Sequence, residues 1–166
     1  MIIEDFSHSS DAANVARRAY QASLDLAAAK SRDRAAALQA MAASLKRRQN
    51  EILEANTLDL EASRDMAIPD LIVEWLKLTP ERIKTTVQIL ERLGEMPDPI
   101  GRVINASYQV DRCQVYCQSL PLGAIALIYE AFPELGAIAA GLSLKSANSL
   151  ILKGGSESWQ TNAVIG

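Results

Sequence analysis

The run Pro121-Leu122-Gly123-Ala124-Ile125-Ala126-Leu127-Ile128-Tyr129-Glu130-Ala131-Phe132-Pro133-Glu134, with its continuation Leu150-Ile151-Leu152-Lys153-Gly154-Gly155-Ser156-Glu157, decides the fold. Residues 123–129 are almost wholly apolar, as in a strand covered on both faces; a half-exposed strand would alternate. Pro133-Glu134 opens a helix in which Leu135, Ile138, Ala139 and Leu142 fall on one face. Ser146-Ala147-Asn148 reads as a turn, and Leu150-Ile151-Leu152 as a second short apolar strand. Strand, helix, strand in this order is a βαβ unit, whose crossover should be right-handed.

Upstream of this unit the period is two. Ile104, Ala106, Tyr108 and Val110 alternate with Val103, Asn105, Ser107 and Gln109. Beyond Asp111-Arg112, Cys113, Val115 and Cys117 share a face, so residues 101–120 read as a β-hairpin. Pro97-Asp98-Pro99 marks the boundary with a wholly helical region. There, Ser10-Asp11 can cap a helix with Val15, Ala19, Ala22 and Leu26 on one face. Ser31 can cap the next, with Asp33 in its first turn and Leu38, Met41, Ala42 and Leu45 in its stripe. A third helix is expected over residues 49–62, and Pro69 opens a short one carrying Ile72, Trp75 and Leu76. Thr79-Pro80 pairs a capping hydroxyl with proline at the first helical position; Ile83, Val87 and Leu90 follow, and Gly94 closes the helix.

With 49% apolar and 22% charged residues, the 166-residue chain has a globular balance rather than a disordered one. The net charge of −3 and the isolated cluster Lys46-Arg47-Arg48, read as a solvated helix end, argue against nucleic acid. No basic segment with an apolar run opens the sequence, and no apolar stretch is long enough to span a bilayer, so a soluble cytoplasmic protein is expected. Cys113 and Cys117 on one strand would stand roughly 13 Å apart, too far for a disulfide. They are read as reduced and structural rather than catalytic. His8 has no identifiable partner and is expected in solvent, and no metal site is expected.

In a parallel sheet, ligands bind beyond the carboxyl ends of the strands. Two segments qualify, residues 129–133 and 153–157. In the second, Gly154 and Gly155 permit close backbone approach, Ser156 can cap a following helix whose amides attract anions, and Lys153 adds positive charge. That set suits the phosphorylated ribose of a nucleotide, though it is also the pattern of a plain turn with a cap. It is neither a P-loop nor a G-x-G-x-x-G fingerprint. Glu130, just past the first strand, is a candidate substrate contact or a solvated acid.

Several segments, in their order and spacing, carry a family resemblance. They are Ile52-Leu53-Glu54-Ala55-Asn56 with Asp59-Leu60, Leu76-Lys77-Leu78-Thr79-Pro80-Glu81-Arg82-Ile83, Met96-Pro97-Asp98-Pro99-Ile100-Gly101 and Leu120-Pro121-Leu122-Gly123. Ile128-Tyr129-Glu130, Leu144-Lys145-Ser146-Ala147-Asn148 and the run from Ile151 to Glu157 complete the set. The chain resembles the N-terminal portion of the γ-glutamyl phosphate reductases, a branch of the aldehyde dehydrogenase superfamily.

The resemblance implies an incomplete α/β fold: an N-terminal helical layer over residues 1–100, a β-hairpin oligomerisation arm over 101–120, and the first βαβ of a Rossmann-like nucleotide-binding domain over 121–166. It implies NADPH-dependent reduction of γ-glutamyl phosphate to glutamate 5-semialdehyde in proline biosynthesis, through a cysteine thioester reduced by hydride. It assigns Lys153 to the adenosine ribose, with Gly154, Gly155 and Ser156 around it. The neutral Ser156 stands where NAD-preferring relatives place an acid, so NADPH is expected. Glu130 falls where related dehydrogenases place an oxyanion-stabilising asparagine; a carboxylate cannot donate that hydrogen bond, so the role is not carried over and Glu130 stays a candidate substrate contact. The family cysteine lies beyond the matched region, so no residue of this chain is expected to be catalytic. Phe132 replaces a family arginine. The alternative reading is a non-catalytic module that pairs, by strand addition, with itself or with a full-length reductase.

Overall fold

The computed structural model describes the backbone of residues 6–166 and the side chains from Asp11 onward. His8 therefore falls outside the described side chains. Five helices come first: α1 (Phe6–Ala28), α2 (Ser31–Arg47), α3 (Gln49–Asp65), α4 (Asp70–Leu76) and α5 (Pro80–Glu95). The hairpin strands β1 (Tyr108–Val110) and β2 (Cys113–Val115) follow. Then come β3 (Ala124–Ile128), α6 (Leu135–Lys145), β4 (Ser149–Lys153), a 3₁₀ turn (Ser156–Ser158) and α7 (Trp159–Ile165).

The core lies among α2, α3 and α5, where Leu38, Ala42, Ile52, Ile83, Val87 and Leu90 come together. Leu38 and Leu90 are fully buried; each such side chain contributes about 1.5–3 kcal/mol by leaving water. The start of α5 is as read: Thr79 Oγ1 accepts from the Arg82 amide at 3.2 Å, and Pro80 opens the helix. The helix runs one residue past Gly94, to Glu95.

Two other caps differ from expectation. Helix α1 already includes residues 6–10, so Asp11 lies inside it; those residues contain no glycine or proline to interrupt the helix. Ser31 is the first residue of α2 rather than its cap, and the Lys30 carbonyl takes the first bonds, from Asp33 and Arg34. Buried Arg34 donates from Nη2 to Asp98 Oδ2 at 2.7 Å, which fastens the 97–99 boundary to the α2 start. Burial by itself would raise the Asp98 carboxyl pKa. Hydrogen bonds from the Ile100 amide, the Ser31 hydroxyl and Arg34, with the Arg34 charge, outweigh it and hold the group below its ordinary value.

Helix α6 docks on this core by a different face from the one its leucines suggest. Gly136, Ala137, Gly141 and Ser143 are buried, whereas Leu142 is exposed. A Cβ at Gly141 would stand 2.3 Å from Leu90 Cδ2. The helix is apolar nearly all round, so periodicity does not select a face, and closeness of approach does.

Strands β3 and β4 are parallel, in register from Ala124↔Ser149 to Ile128↔Lys153. The expectation that β3 is covered on both faces fails: Ala124, Ala126 and Ile128 are exposed and Ile125 and Leu127 partly buried. Helix α1 lies against both strands, but α6 leans on β4 and leaves one side of β3 open. The hairpin is present, with Tyr108↔Val115 and Val110↔Cys113 paired antiparallel and Asp111 at positive φ in its turn. The two cysteines are free, and both are exposed on the hairpin segment.

Candidate functional site

The register of β3 and β4 sets their two following loops side by side. The Tyr129 amide donates to the Lys153 carbonyl at 3.0 Å, one step beyond the strands. The Ala131 amide then donates to Glu157 Oε1 at 3.1 Å, from one loop to the other. The two segments expected to hold ligand therefore form one surface. Glu130 sits on it exposed, with no ion pair among the described residues.

The first loop has an unusual backbone. Ala131 and Phe132 have φ of 52° and 46°, left-handed values that cost a non-glycine residue about 1–2 kcal/mol. Contacts outside the loop hold it. The Phe132 amide donates to the Trp75 carbonyl at 3.3 Å, and its ring stacks on Trp75 with centroids 5.4 Å apart. The Arg82 guanidinium lies 5.8 Å above the Phe132 ring and donates from Nε to Glu134 Oε1 at 3.0 Å. It also donates to the Trp75 and Lys77 carbonyls, so its fork is occupied in joining α4, α5 and the loop.

In the second loop Lys153 is exposed, and its ammonium donates only to the Gly154 carbonyl, at 2.8 Å, among the described residues. Ser156 is exposed but caps nothing: Gly155 occupies the cap position of the 3₁₀ turn and makes no side-chain bond. The amides opening α7 are not free for an anion either. Buried Asp59, from α3, accepts from the Gln160 amide at 3.1 Å, the Thr161 amide at 2.8 Å and the Thr161 hydroxyl at 2.6 Å. A carboxylate from another helix thus does the capping expected of Ser156. The space beside both glycines is filled by the chain itself. A Cβ would meet Asn162 Nδ2 at 2.2 Å from Gly154, and Glu157 Oε1 at 1.9 Å from Gly155.

The groups that shape this surface are thus largely ones the motif reading passed over. Asn56, next to Asp59 on α3, donates to the Leu76 carbonyl at 2.8 Å and accepts from the Leu78 amide at 2.8 Å. Tyr129 donates to Asn162 Oδ1 at 3.1 Å, and burial raises its pKa. An available signal was the α3 stripe Ile52, Ala55, Asn56, Asp59, Ser63, where helical spacing puts polar residues on the buried face. Beneath the loop, Tyr129, Gly136, Gly154 and Asn162 help wall an open cavity of about 580 Å³.

No family model matches the chain. Individual proteins do. "Gamma-glutamyl phosphate reductase 2" of Synechocystis is 54% identical over 133 residues, covering 80% of this chain and 32% of its own. A γ-glutamyl phosphate reductase of Gloeobacter violaceus is 39% identical over 150 residues, covering 90% and 36%. The crystal structure of the Thermotoga maritima γ-glutamyl phosphate reductase superposes with a TM-score of 0.82 at 32% identity, covering 90% of this chain and 36% of that one. The Saccharomyces cerevisiae enzyme gives 0.84 at 30% identity, covering 89% and 38%.

The chain belongs to the γ-glutamyl phosphate reductases, as an N-terminal portion.

It spans about a third of the length of the curated reductases it matches, with 32% and 36% of the two quoted. The structural likeness to two reductases extends to the helix-rich α/β arrangement as a whole. Among the described residues, no helix is long and apolar enough to cross a membrane, and no cluster of His, Cys, Asp and Glu is arranged to hold a metal ion.

Proposed function

We propose that this chain forms one side of the nucleotide site of an NADPH-dependent reductase. The whole enzyme would convert γ-glutamyl phosphate to glutamate 5-semialdehyde in proline biosynthesis, in the cytoplasm. The observation that carries the reading is the pairing of high identity to a reductase, 54% over 133 residues, with an exposed lysine at a parallel strand's carboxyl end.

Lys153 has no carboxylate partner among the described residues, so its ammonium is available to an anionic or hydroxylated ribose. Ser156, exposed beside it, is neutral and leaves a 2′-phosphate unopposed; an acid there would repel it. Gly154 and Gly155 complete the cofactor-side loop, their open sides taken by Asn162 and Glu157. The nicotinamide cofactor supplies hydride when bound. Glu130 is the substrate-side group: as a carboxylate it only accepts hydrogen bonds, which suits the ammonium of an amino-acid substrate rather than an acyl phosphate.

The reacting thiol is not supplied here. Cys113 and Cys117 sit on the exposed hairpin, not at the strand-end loops, so the chain alone should not turn over substrate. The hairpin exposes Ile104, Tyr108, Val110 and Tyr116, an apolar surface fitted to pair with a second subunit in a homo-oligomer.

Mixing the chain with the remaining C-terminal portion of a relative gives a direct test. The expected result is NADP⁺ reduction that requires both pieces, glutamate 5-semialdehyde and phosphate. No activity from two folded, associated pieces would contradict the reading.

A further inference from the structure

Among the described residues, a single side chain crosses between the two strand-end loops. We propose that Glu157 is a positioning residue: its carboxylate latches the 153–157 loop to the 130–133 loop, so the nucleotide side and the substrate side take their shapes together. The functional meaning of the latch rests on the reading given under Proposed function; the latch itself rests on geometry.

Three observations carry it. Glu157 Oε1 accepts from the Ala131 amide at 3.1 Å, and this is its only hydrogen bond among the described residues. To reach it, the side chain folds back over its own loop. A Cβ on Gly155 would stand 1.9 Å from Oε1 and 2.3 Å from the carboxyl carbon, so the bare backbone at 155 is what admits the carboxylate. The receiving amide lies in the left-handed pair Ala131 and Phe132, a conformation that persists only where its surroundings hold it.

The base of the latch is itself fixed. Asp59 holds the Gln160 and Thr161 amides. Asn162 donates to Ser158 Oγ at 2.9 Å and accepts from Tyr129. The chain on either side of residues 156–158 is thus anchored, and beyond the Tyr129–Lys153 backbone bond the Glu157 carboxylate is the remaining connection, among the described residues, that sets the first loop against the second. Lys153 and Glu130, at the near ends of the two loops, are held in a common frame. A ligand that orders one loop should order the other.

The test uses the full chain in five forms: unaltered, Glu157→Gln, Glu157→Ala, Gly155→Ala and the double variant Gly155→Ala/Glu157→Ala. Two quantities are read, backbone amide exchange by NMR and the affinity for NADPH by nucleotide fluorescence. Glu157→Ala should speed exchange at Ala131 at least ten-fold, speed exchange at residues 154–156 with it, and weaken NADPH at least five-fold. Glu157→Gln keeps an acceptor oxygen and should restore both readouts to within about two-fold, a rescue that a general loss of stability would not give. Gly155→Ala should reproduce Glu157→Ala by displacing the carboxylate, and the double variant should be no worse than either single one. The proposal is overturned if Glu157→Ala frees only one loop, if Gly155→Ala adds in full to Glu157→Ala, or if NADPH affinity ignores a latch that exchange shows to be open. Failure of the unaltered chain to bind NADPH would sink the nucleotide reading instead, and the exchange pattern would still decide the latch.

Discussion

The helical region before residue 96 and the strands after residue 101 solve the burial problem in opposite ways. In the first, apolar stripes on α2, α3 and α5 close on one another, and Leu38, Ile52 and Leu90 are sealed from water. In the second, the hairpin leaves Ile104 67% exposed and β3 leaves Ile128 78% exposed. Stability therefore resides in the helices, whereas the strands present unpaired edges and apolar side chains that suit contact with further protein. The candidate site lies at the seam, where α3 reaches across to pin α7 behind the strand-end loops.

Substitutions should separate the two regions. Leu90→Ala empties the centre of the helical core and should cost about 2–5 kcal/mol in urea unfolding; a cost under about 1 kcal/mol would mean that the core lies elsewhere. At the seam, Asp59→Ala strips three hydrogen bonds from the α7 start and should cost about 1–3 kcal/mol, read on the same scale.

A smaller, pH-dependent effect belongs to Asp98. Its folded-state pKa lies below the ordinary 3.8, so its contribution is fully present above that value and is lost as pH falls through the lowered one. Asp98→Asn should flatten the acid limb of stability plotted against pH; an unchanged limb would show that the Arg34 pairing does not contribute. Least of all, Ile104→Ser on the hairpin should change stability by no more than about 0.5 kcal/mol. A large loss there would erase the contrast between the regions.

Legibility in the sequence follows the same division. Where amphipathic period and capping chemistry agree, as at Thr79-Pro80 and along Leu38 and Ala42, element and buried face could both be read. In α6 they could not: a helix of Leu, Ile, Ala and Gly carries no polar face, so its burial was decided by how closely Gly141 lets it approach Leu90. The uniformly apolar β3 gave the strand but not its open side, since coverage depends on which elements pack against it. At the site, Lys153 and Glu130 were legible as strand-end residues. The contacts organising them, Asp59 to α7 and Glu157 to Ala131, join residues far apart in the chain and have no local signature. They also reversed the role expected of Ser156, because a carboxylate supplied from α3 makes a local cap redundant.

The central claim is that these loops form one side of a nucleotide site, with Lys153 as its cationic contact. A titration of the purified chain with NADPH, followed by nucleotide fluorescence alongside a Lys153→Ala control, tests it most directly. Saturable binding that weakens at least ten-fold in the variant is the predicted result. Binding that the variant leaves unchanged, or none by a chain that is demonstrably folded, would contradict it.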